Sequence, residues 1–533
     1  QPLNRRTTAG WVYWGCTIHM AREKLQSGTT PGQRCQMLGS MEIQALREAD
    51  ATAVIGEFTN TSNAEREDAA SLAERVAAGP VEAATTPSPR FQALTHRLGV
   101  AGITVKTSST GISFSEAVTP GDANQTLELA ESVLHPWLPD RTLDSISIVE
   151  GAAGQQIVDA NRRLTTLLDG DTPAPILNEA REALTRAIGR EFDSLLCADH
   201  LGFGSRVLFS ARAILIPGQD LRIDQLGIPE ELAWALFGPQ TAREMGDAAA
   251  VENRTDDATA ALDRVLASAW VILHRPPATG RTSLLAFQPL RRDGKAIHLH
   301  PLACRLLDAD FDGDQAALFV PLTERATLEA RDHLSIAGHL RDEPGLISEL
   351  APAMDAIFGV ACLSRTAKGR KALATIVGAQ HTPDGSLWNR ERVIEILSDI
   401  LDAQGVDAAL TAAQELMRAG FAASRKEGAS IGPFIGATLA LPEPPLTDEF
   451  DHWQAWQEEI QAIVTAYDDY DDEDAGIVHL LSHAGARANA HQVAALFAPG
   501  GPVHDTQNNL IPVRRCWREG LSASEALVRV IGA

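Results

Sequence analysis

The sequence predicts a multidomain α+β protein, and three observations lead to that class. The chain has 533 residues, which suits roughly three to four domains at about 150 residues each. Short β-type runs separated by Gly, Pro and Asp turns occupy residues 206–226 and 268–322. Helical patterns are expected over 155–190, around a turn that contains proline, and over most of the chain from about residue 326 onward.

Composition is that of a protein that buries ordinary apolar cores, because 44% of the residues are hydrophobic and 22% are charged. The formal net charge of −24 argues against a free-standing nucleic-acid binder, whose footprint should be basic. A large enzyme can still combine an acidic exterior with local basic channels. The sequence has no apolar run of about 18 residues and no signal-peptide core, so no membrane partner is expected.

The six cysteines are scattered along the chain and never form CxxC. A disulfide framework or a zinc ribbon is therefore not expected, and a reducing cytoplasm suits the chain better. The sequence begins with Gln1 and not with Met, which suggests a processed or excised chain.

One acidic motif stands out in the sequence DADFDGDQ, residues 308–315. Asp310, Asp312 and Asp314 follow at i, i+2 and i+4, a spacing that places side chains on one face of extended backbone. Gly313 allows a tight turn. Crowded carboxylates repel one another unless a cation lies between them, and Mg²⁺ suits such oxygen ligands. Phosphoryl transfer uses an ion held in this way.

Short motifs in the sequence allow three other interpretations. An ordinary acidic loop stays open on the residues alone. A calcium EF-hand loop requires Gly at its sixth position and Glu at its twelfth. Counted from Asp310, those positions hold Gln315 and Pro321, so the EF-hand interpretation is rejected. The GxSxG pattern at 428–432 resembles a nucleophile elbow, but no Asp and His partners are suggested for it.

The acidic motif belongs to a longer segment that resembles a known family. Residues 294–322, GKAIHLHPLACRLLDADFDGDQAALFVPL, closely resemble the active-site signature of the β′ subunit of multisubunit DNA-directed RNA polymerases. The resemblance implies a double-psi β-barrel core of the β′ type with surrounding helical modules. It also implies that Asp310, Asp312 and Asp314 hold the catalytic Mg²⁺.

Further segments resemble blocks of β′ in the family's order. Residues 157–184 are similar to a helical pair, residues 205–218 and 224–239 to the first barrel strands, and residues 274–290 to the block before the acidic motif. Residues 420–432 and 482–496 are similar to two secondary-channel blocks, and residues 517–533 to the approach to the bridge helix.

The start of the chain resembles a different subunit. Residues 1–3 and 31–46, with an insertion between them, and residues 88–105 are similar to the C-terminal region of the β subunit. The resemblance implies that the end of β is joined to the middle of β′ near residue 120. The predicted domains are a β-like region at 1–115, a helical region at 116–203, the barrel at 204–330 and a mainly helical pore region at 331–533.

The resemblance also implies roles for single residues. Arg275 would contact the ribose of the incoming nucleotide. Asp308 stands where the family has Asn, and an ionised Asp only accepts hydrogen bonds, so ribose selection is expected to change. Gln315 would contact the substrate as well. Arg206 and Arg212 are candidates for nucleic-acid phosphate contacts, as are Arg291 and Arg292, for which an ordinary surface role is equally open.

The function implied by the resemblance is Mg²⁺-dependent nucleotidyl transfer from nucleoside triphosphates to an RNA 3′ end. The partners would be a DNA template, the RNA product and the polymerase segments that carry the second barrel, the bridge helix and the trigger loop. The expected location is the cytoplasm of a bacterial or phage-infected cell. A catalytically inactive regulatory protein and an RNA-templated polymerase with the same barrel stay open as alternatives.

Overall fold

The structure is a computed structural model, and it describes most of the chain. The described residues are 11, 13, 20–101, 103–108, 111–116, 125–138, 140–148, 152–195, 204–381, 385–431, 439–447, 449–504 and 510–531. Outside these residues lie the segment 1–3 that resembles the β subunit, the cysteines at 16 and 197, and the last glycine of the GxSxG pattern. None of the described cysteines forms a disulfide.

The strands are short and are spread over the whole chain. They are β1 (Gln26–Gly28), β2 (Gln36–Leu38), β3 (Ile103–Ser108), β4 (Gly111–Glu116), β5 (Gln125–Leu134), β6 (Thr142–Ile148), β7 (Ser205–Val207), β8 (Ser210–Pro217), β9 (Gln225–Pro229), β10 (Val271–His274), β11 (Leu284–Arg292), β12 (Ala296–Leu299), β13 (Gln315–Phe319), β14 (Gly501–His504) and β15 (Leu510–Val513).

The α-helices dominate the C-terminal half, as the sequence predicted. They are Ala21–Lys24, Ser40–Glu48, Thr52–Gly56, Leu72–Ala78, Pro89–Val100, Ala152–Leu168, Ala174–Leu195, Glu230–Met245, Ala248–Glu252, Asp256–Ser268, Glu324–Glu329, Ile336–Asp342, Met354–Arg365, Ala367–Val377, Arg390–Gln404, Val406–Glu427, Phe450–Ala466, Gly476–His483, Ala490–Phe497 and Ala523–Ile531. The antiparallel hairpin of β14 and β15 interrupts this helical half and was not predicted.

A closed β-barrel forms the centre of the molecule. Strands β8, β12, β9, β11, β10 and β13 are hydrogen-bonded in that order, and β13 returns to β8. The pairs β8–β12 and β9–β11 are parallel, and the other barrel pairs are antiparallel. Closure removes the free edges that a small sheet would otherwise expose. The prediction of an α+β chain with a barrel core is confirmed, and the barrel is consistent with the double-psi type.

Alternation along the barrel strands separates two apolar cores. Ala211 and Ala213 of β8 and Leu318 of β13 belong to the main core, which extends into the surrounding helices. Ala317 and Phe319 of β13 point to the opposite face and belong to a second core. This two-residue period is what a strand with both faces buried requires. Strands β10, β11 and β13 contribute residues to both cores, so they are held between two apolar layers.

The segment between residues 26 and 64 packs against the outside of the barrel. Strand β1 pairs with β8, and β2 pairs with β7, which directly precedes β8. Helices Ser40–Glu48 and Thr52–Gly56 contribute to the second core, where the rings of Phe58 and Phe319 lie 5.5 Å apart. Residues far apart in sequence thus share one apolar layer with the barrel.

Two carboxylates tie this N-terminal segment to the chain that follows β13. Buried Glu57 accepts hydrogen bonds from Leu322 N at 2.7 Å, from Thr323 N at 2.8 Å and from Thr323 Oγ1 at 2.6 Å, at the start of helix Glu324–Glu329. In return, Glu329 accepts from Val54 N at 2.8 Å in helix Thr52–Gly56. Glu57, which directly follows helix Thr52–Gly56, and Glu329 of helix Glu324–Glu329 therefore each accept from backbone N–H groups near the N-terminus of the opposite helix.

We expect Glu57→Gln to lower the free energy of unfolding by about 2 kcal/mol, because an amide group would be placed against hydrogen-bond donors in a buried site. Ser62 Oγ is a further donor at 3.3 Å. Burial raises the pKa of Glu57, while the hydrogen bonds that it accepts oppose that rise. Urea unfolding measures the effect.

Exposed Glu324 provides the matched control, since Glu324→Gln removes a carboxylate at the start of the same helix. Equal unfolding midpoints for the two variants would show that the buried acceptor contributes nothing.

Two helices of the C-terminal half are in backbone contact. Helix Met354–Arg365 crosses helix Val406–Glu427 where Gly359 faces Gly420. A Cβ atom built on Gly359 would lie 1.8 Å from Gly420 O, and one built on Gly420 would lie 2.1 Å from Ala356 O. Only glycine permits this distance of approach at both positions.

A separate apolar cluster joins the two N-terminal hairpin strands β5 and β6 to the predicted helical pair. The pair consists of Ala152–Leu168 and Ala174–Leu195, so the helical pattern predicted over 155–190 is confirmed. The wider prediction of a helical region at 116–203 is wrong for residues 125–134 and 142–148, which pair as strands. Asn161 joins helix to hairpin, since its side chain accepts from Ala130 N at 2.8 Å and donates to Glu128 O at 2.9 Å.

Among the described residues, no single helix is long and apolar enough to cross a membrane. The consecutive helices Pro344–Leu350 and Met354–Arg365 reach that composition only as a pair, with a bend of 89° between them. Most of the second helix is buried in the apolar cores.

Candidate metal centre and its neighbours

The acidic loop lies at one end of the barrel. It runs from Asp308 to Asp314, between the short 3-10 helix Pro301–Ala303 and strand β13. Leu215 N of β8 donates to Asp314 O at 2.8 Å, so the end of the loop is tied to a neighbouring barrel strand. Gly313 has a φ of +127°, which side-chain-bearing residues rarely adopt. The loop is therefore placed by barrel closure and turned by a glycine.

Three carboxylates converge in this loop. Each of Asp310, Asp312 and Asp314 offers an oxygen atom, and these atoms all lie within 4.8 Å of one another. Asp312 N donates to Asp310 Oδ1 at 3.3 Å, and Asp310 N donates to Asp314 Oδ2 at 3.2 Å. The expectation of an extended backbone here is wrong, since residues 311–313 form a bend. Loop curvature, and not strand alternation, brings the carboxylates together.

The mutual charge of the carboxylates disfavours their ionised forms. Hydrogen bonding to Asp310 and the negative charge of Asp310 raise the pKa of Asp312, and Asp314 adds to the rise. A divalent cation would reverse this effect, because it favours the ionised form of every ligand. Two of the three side chains are exposed and the third is half-buried, so the cluster is open to an ion and its water ligands. Its donor set fits a hard divalent cation.

Arg275 lies directly beside the cluster, as its predicted role requires. It follows strand β10, which pairs with β13. Its Nε and Nη2 atoms donate to the two oxygens of Asp314, at 3.1 and 3.4 Å, and its Nη1 atom lies 3.6 Å from Asp308 Oδ2. The Arg275 side chain is largely buried, with 24% of it exposed. One arginine is thus shared by a candidate metal ligand and by the residue that replaces the family's Asn.

The other two predicted substrate residues flank the acidic loop. Asp308 has a φ of 48°, in the left-handed region, and its side chain is 89% exposed. Gln315 begins β13, is half-buried and lies opposite Ile214 of β8. Both therefore adjoin the three carboxylates, and their contacts with a substrate stay predictions.

Comparison with known proteins agrees with this geometry. Residues 247–336, which include β10 to β13 and the acidic loop, match the family model described as RNA polymerase Rpb1, domain 2. The chain contains an RNA polymerase β′-like region.

Curated relatives extend the similarity beyond the barrel. The DNA-directed RNA polymerase subunit beta' of Moorella thermoacetica is 24% identical over 484 residues, which cover 71% of this chain and 42% of that protein. The same subunit of Campylobacter jejuni is 24% identical over 490 residues, covering 71% of this chain and 32% of that protein. That of Streptococcus mutans is 32% identical over 240 residues, covering 38% and 20%. The chain thus matches less than half the length of these relatives.

The structure places the predicted phosphate-binding arginines of the β′-like region on the strands that pack against the N-terminal segment. Arg206 is exposed on β7 and donates to Cys35 O at 3.3 Å. Arg212 lies on β8 opposite Ala317, and its Nε atom is buried without a hydrogen-bond partner. Within the described residues, neither side chain pairs with the acidic loop. Their contact with nucleic acid stays a prediction.

The other two arginines considered in the β′-like region are occupied by carboxylates. Arg291 forms a two-point contact with Asp263, at 2.9 Å for both atom pairs, and lies 3.6 Å from Glu230. Arg292 pairs with Asp220 at 2.5 Å. These ion pairs favour the surface role for both side chains.

A cavity of about 530 Å³ opens beside Asp310 and is lined by three arginines that the sequence analysis did not single out, Arg305, Arg390 and Arg487. They come from three separate parts of the chain. The segment that contains Arg487 had been identified by its resemblance to β′, but nothing in its spacing linked this arginine to the acidic loop. Tertiary structure alone brings the three cations to one cavity.

These three arginines differ in whether a carboxylate neutralises their positive charge. Arg305 pairs with Glu349 at 2.9 Å, and exposed Arg487 lies 3.5 Å from Asp355. Burial lowers the pKa of Arg390, whose Nη2 atom donates to Ser348 O at 2.7 Å. Since this last partner is an uncharged carbonyl, the positive charge of Arg390 is the least neutralised by direct contacts.

Proposed function

We propose that this chain is the catalytic β′-type part of a DNA-directed RNA polymerase, which transfers nucleotides from nucleoside triphosphates to an RNA 3′ end. The observation that carries the proposal is the convergence of Asp310, Asp312 and Asp314 at the end of a closed barrel. Similarity of the barrel region to RNA polymerase β′ supports it. Three clustered carboxylates with open access suit metal-dependent phosphoryl transfer.

The three carboxylates would hold Mg²⁺, which when bound supplies charge stabilisation for the attacking and leaving oxygens. Arg275, fixed by Asp314, would present its remaining donor capacity to the ribose of the incoming nucleotide. Asp308 would accept hydrogen bonds from ribose hydroxyls, and Gln315 would complete the contact. Arg390 of the neighbouring cavity, whose charge is the least neutralised by direct contacts, would be the candidate contact for the triphosphate.

The proposal includes the joined organisation of the chain. Residues 1–115 would form a β-type C-terminal region, and residues 116–203, 204–330 and 331–533 would form the helical, barrel and pore regions of β′. Support comes from two antiparallel pairings, of β1 with barrel strand β8 and of β2 with β7, which directly precedes it.

The remaining polymerase segments, a DNA template and the RNA product would be its partners, with Arg206 and Arg212 as candidate phosphate contacts. The proposed location is the cytoplasm of a bacterial or phage-infected cell.

Metal removal should stop primer extension by the complete polymerase assembly, and added Mg²⁺ should restore it. The physical reason is that the acidic loop and the triphosphate bring negative charges together, and a divalent ion between them reduces their repulsion. The measurement is extension of an RNA primer before and after chelation and refilling, on a DNA template and on an RNA template of the same sequence.

Extension on DNA alone would support the proposal. Extension on RNA alone would indicate the RNA-templated alternative. A folded, complete assembly that extends the primer on neither template would indicate the regulatory alternative.

A further inference from the structure

A buried histidine joins the N-terminal segment to the loop that carries Arg275. His274 is the last residue of β10 and is only 2% exposed. Its Nε2 atom lies 3.1 Å from Glu42 Oε1 in helix Ser40–Glu48, and its Nδ1 atom lies 3.0 Å from Ser283 O. One side chain therefore contacts two elements that are far from it in sequence.

Both partners of the His274 ring are acceptors. A backbone carbonyl and a carboxylate have no proton to offer, so each contact is a hydrogen bond when the ring nitrogen that faces it carries a hydrogen. The pKa of Glu42 is lowered, first of all, by the hydrogen bond to His274. The other oxygen of Glu42 accepts from Gly39 N at 2.7 Å. The result is a bridge in which one oxygen of Glu42 faces the imidazole and the other is held by its own helix N-terminus.

The contact with Ser283 closes the loop between β10 and β11. Arg275 begins this loop and Ser283 ends it. Ser283 Oγ accepts from Thr279 N at 2.9 Å and from Gly280 N at 3.1 Å, so the far side of the loop is held as well. The His274 side chain thus contacts the last residue of the loop, while the His274 backbone, at the end of β10, directly precedes the first. Movement of the imidazole would be transmitted to both ends.

We propose that Glu42 and His274 are positioning residues that set the placement of Arg275 against Asp314. The N-terminal segment would then take part in nucleotide selection through this bridge, without touching the substrate. The inference rests on the proposed function, because it assigns to Arg275 a contact with the incoming nucleotide. Its structural part, control of the loop at 275–283, is independent of that function.

Four variants separate this role from simple packing. Glu42→Ala removes the bridge, and Glu42→Asp keeps the charge but shortens the side chain by one methylene. Glu42→Gln preserves the geometry, because its amide nitrogen can donate to a neutral His274 while its oxygen accepts from Gly39. Glu48→Ala is the matched control, since Glu48 is exposed on the same helix and bonds to Gln44.

The first measurement is hydrogen exchange of the backbone at residues 275–283 in the full chain without nucleotide. We expect faster exchange there in Glu42→Ala and Glu42→Asp, and wild-type exchange in Glu42→Gln and Glu48→Ala. Exchange reports local opening, so it does not depend on catalytic activity. Unchanged exchange in folded Glu42→Ala and Glu42→Asp would overturn the inference.

The second measurement is single-nucleotide addition by the complete assembly, with KM and kcat for ribonucleotide and for 2′-deoxyribonucleotide. We expect Glu42→Ala and Glu42→Asp to raise the ribonucleotide KM about tenfold and to reduce discrimination against the deoxy analogue, with a smaller change in kcat. Glu42→Gln should restore both values. A general loss of activity without rescue by Glu42→Gln would indicate packing alone and would overturn the positioning role.

An assembly that is inactive with the wild-type chain would defeat the proposed function. The exchange experiment would still decide whether the bridge controls the loop.

Discussion

Replacing Asp312 with alanine is expected to lower the rate of nucleotide addition by at least about 10³-fold, because several kcal/mol of metal-dependent charge stabilisation would be lost. Asp312 is the middle carboxylate of the loop, and its own backbone N–H donates to Asp310. The substitution removes one of three candidate ligands and leaves that backbone contact in place. Single-nucleotide addition in the complete assembly, at saturating Mg²⁺, measures the effect.

A second tight turn of the barrel provides the control for this prediction. Asp293 is exposed between β11 and β12 and precedes Gly294, whose φ is +99°, just as Asp312 precedes Gly313 at +127°. Asp293→Ala should leave addition within about twofold of wild type, since surface substitutions rarely cost more than a few tenths of a kcal/mol. A similar rate loss in both variants would assign the effect to turn stability. Full activity of Asp312→Ala would remove the metal centre from the mechanism.

Gly359→Ala is expected to destabilise the folded chain by about 3 kcal/mol, the upper part of the usual range for overpacking a buried site. The added Cβ atom would lie 1.8 Å from Gly420 O, so the two helices must move apart. Met354 and Met417 of these helices line the cavity beside Asp310. We therefore expect a raised nucleotide KM together with the lower urea midpoint.

Gly189 offers the opposite case within a helix. It lies inside helix Ala174–Leu195, and a Cβ atom built on it would meet nothing within 4 Å. Gly189→Ala should stabilise the chain by about 0.5–1 kcal/mol, because alanine is the better helix former where space permits. If both alanine variants shifted stability in the same direction, the close approach of the two helices would not be the cause.

The acidic motif shows how far sequence reasoning reached at the candidate site. The three aspartates and their chemistry were predicted from spacing and from the resemblance to β′, and the structure brings all three together. Gly313 makes the predicted turn, but the extended backbone expected for the motif was wrong, because residues 311–313 form a bend. Spacing alone cannot distinguish these two backbones, since Gly313 is compatible with both. Hydrogen bonds within the loop and closure of the barrel decide between them.

Contacts that join distant segments were beyond sequence reasoning altogether. Nothing in the local pattern around Glu42 or Glu57 distinguishes them from surface glutamates. Glu57 is buried and Glu42 is half-buried, and each accepts hydrogen bonds from residues more than 200 positions away. The arginines of the neighbouring cavity were missed for the same reason, since charge is visible in a sequence and proximity is not.

The sequence by itself predicted an α+β chain with a barrel, a candidate metal centre of three aspartates at alternate positions, and a ribose contact for Arg275. These conclusions depend on residue type, period and resemblance, which local sequence carries. Only the tertiary structure decided that Arg275 is shared by Asp314 and Asp308, and that His274 bridges Glu42 and Ser283. The reason is physical: a buried charge or hydrogen-bonding group is satisfied by whichever partner the fold brings within about 3 Å.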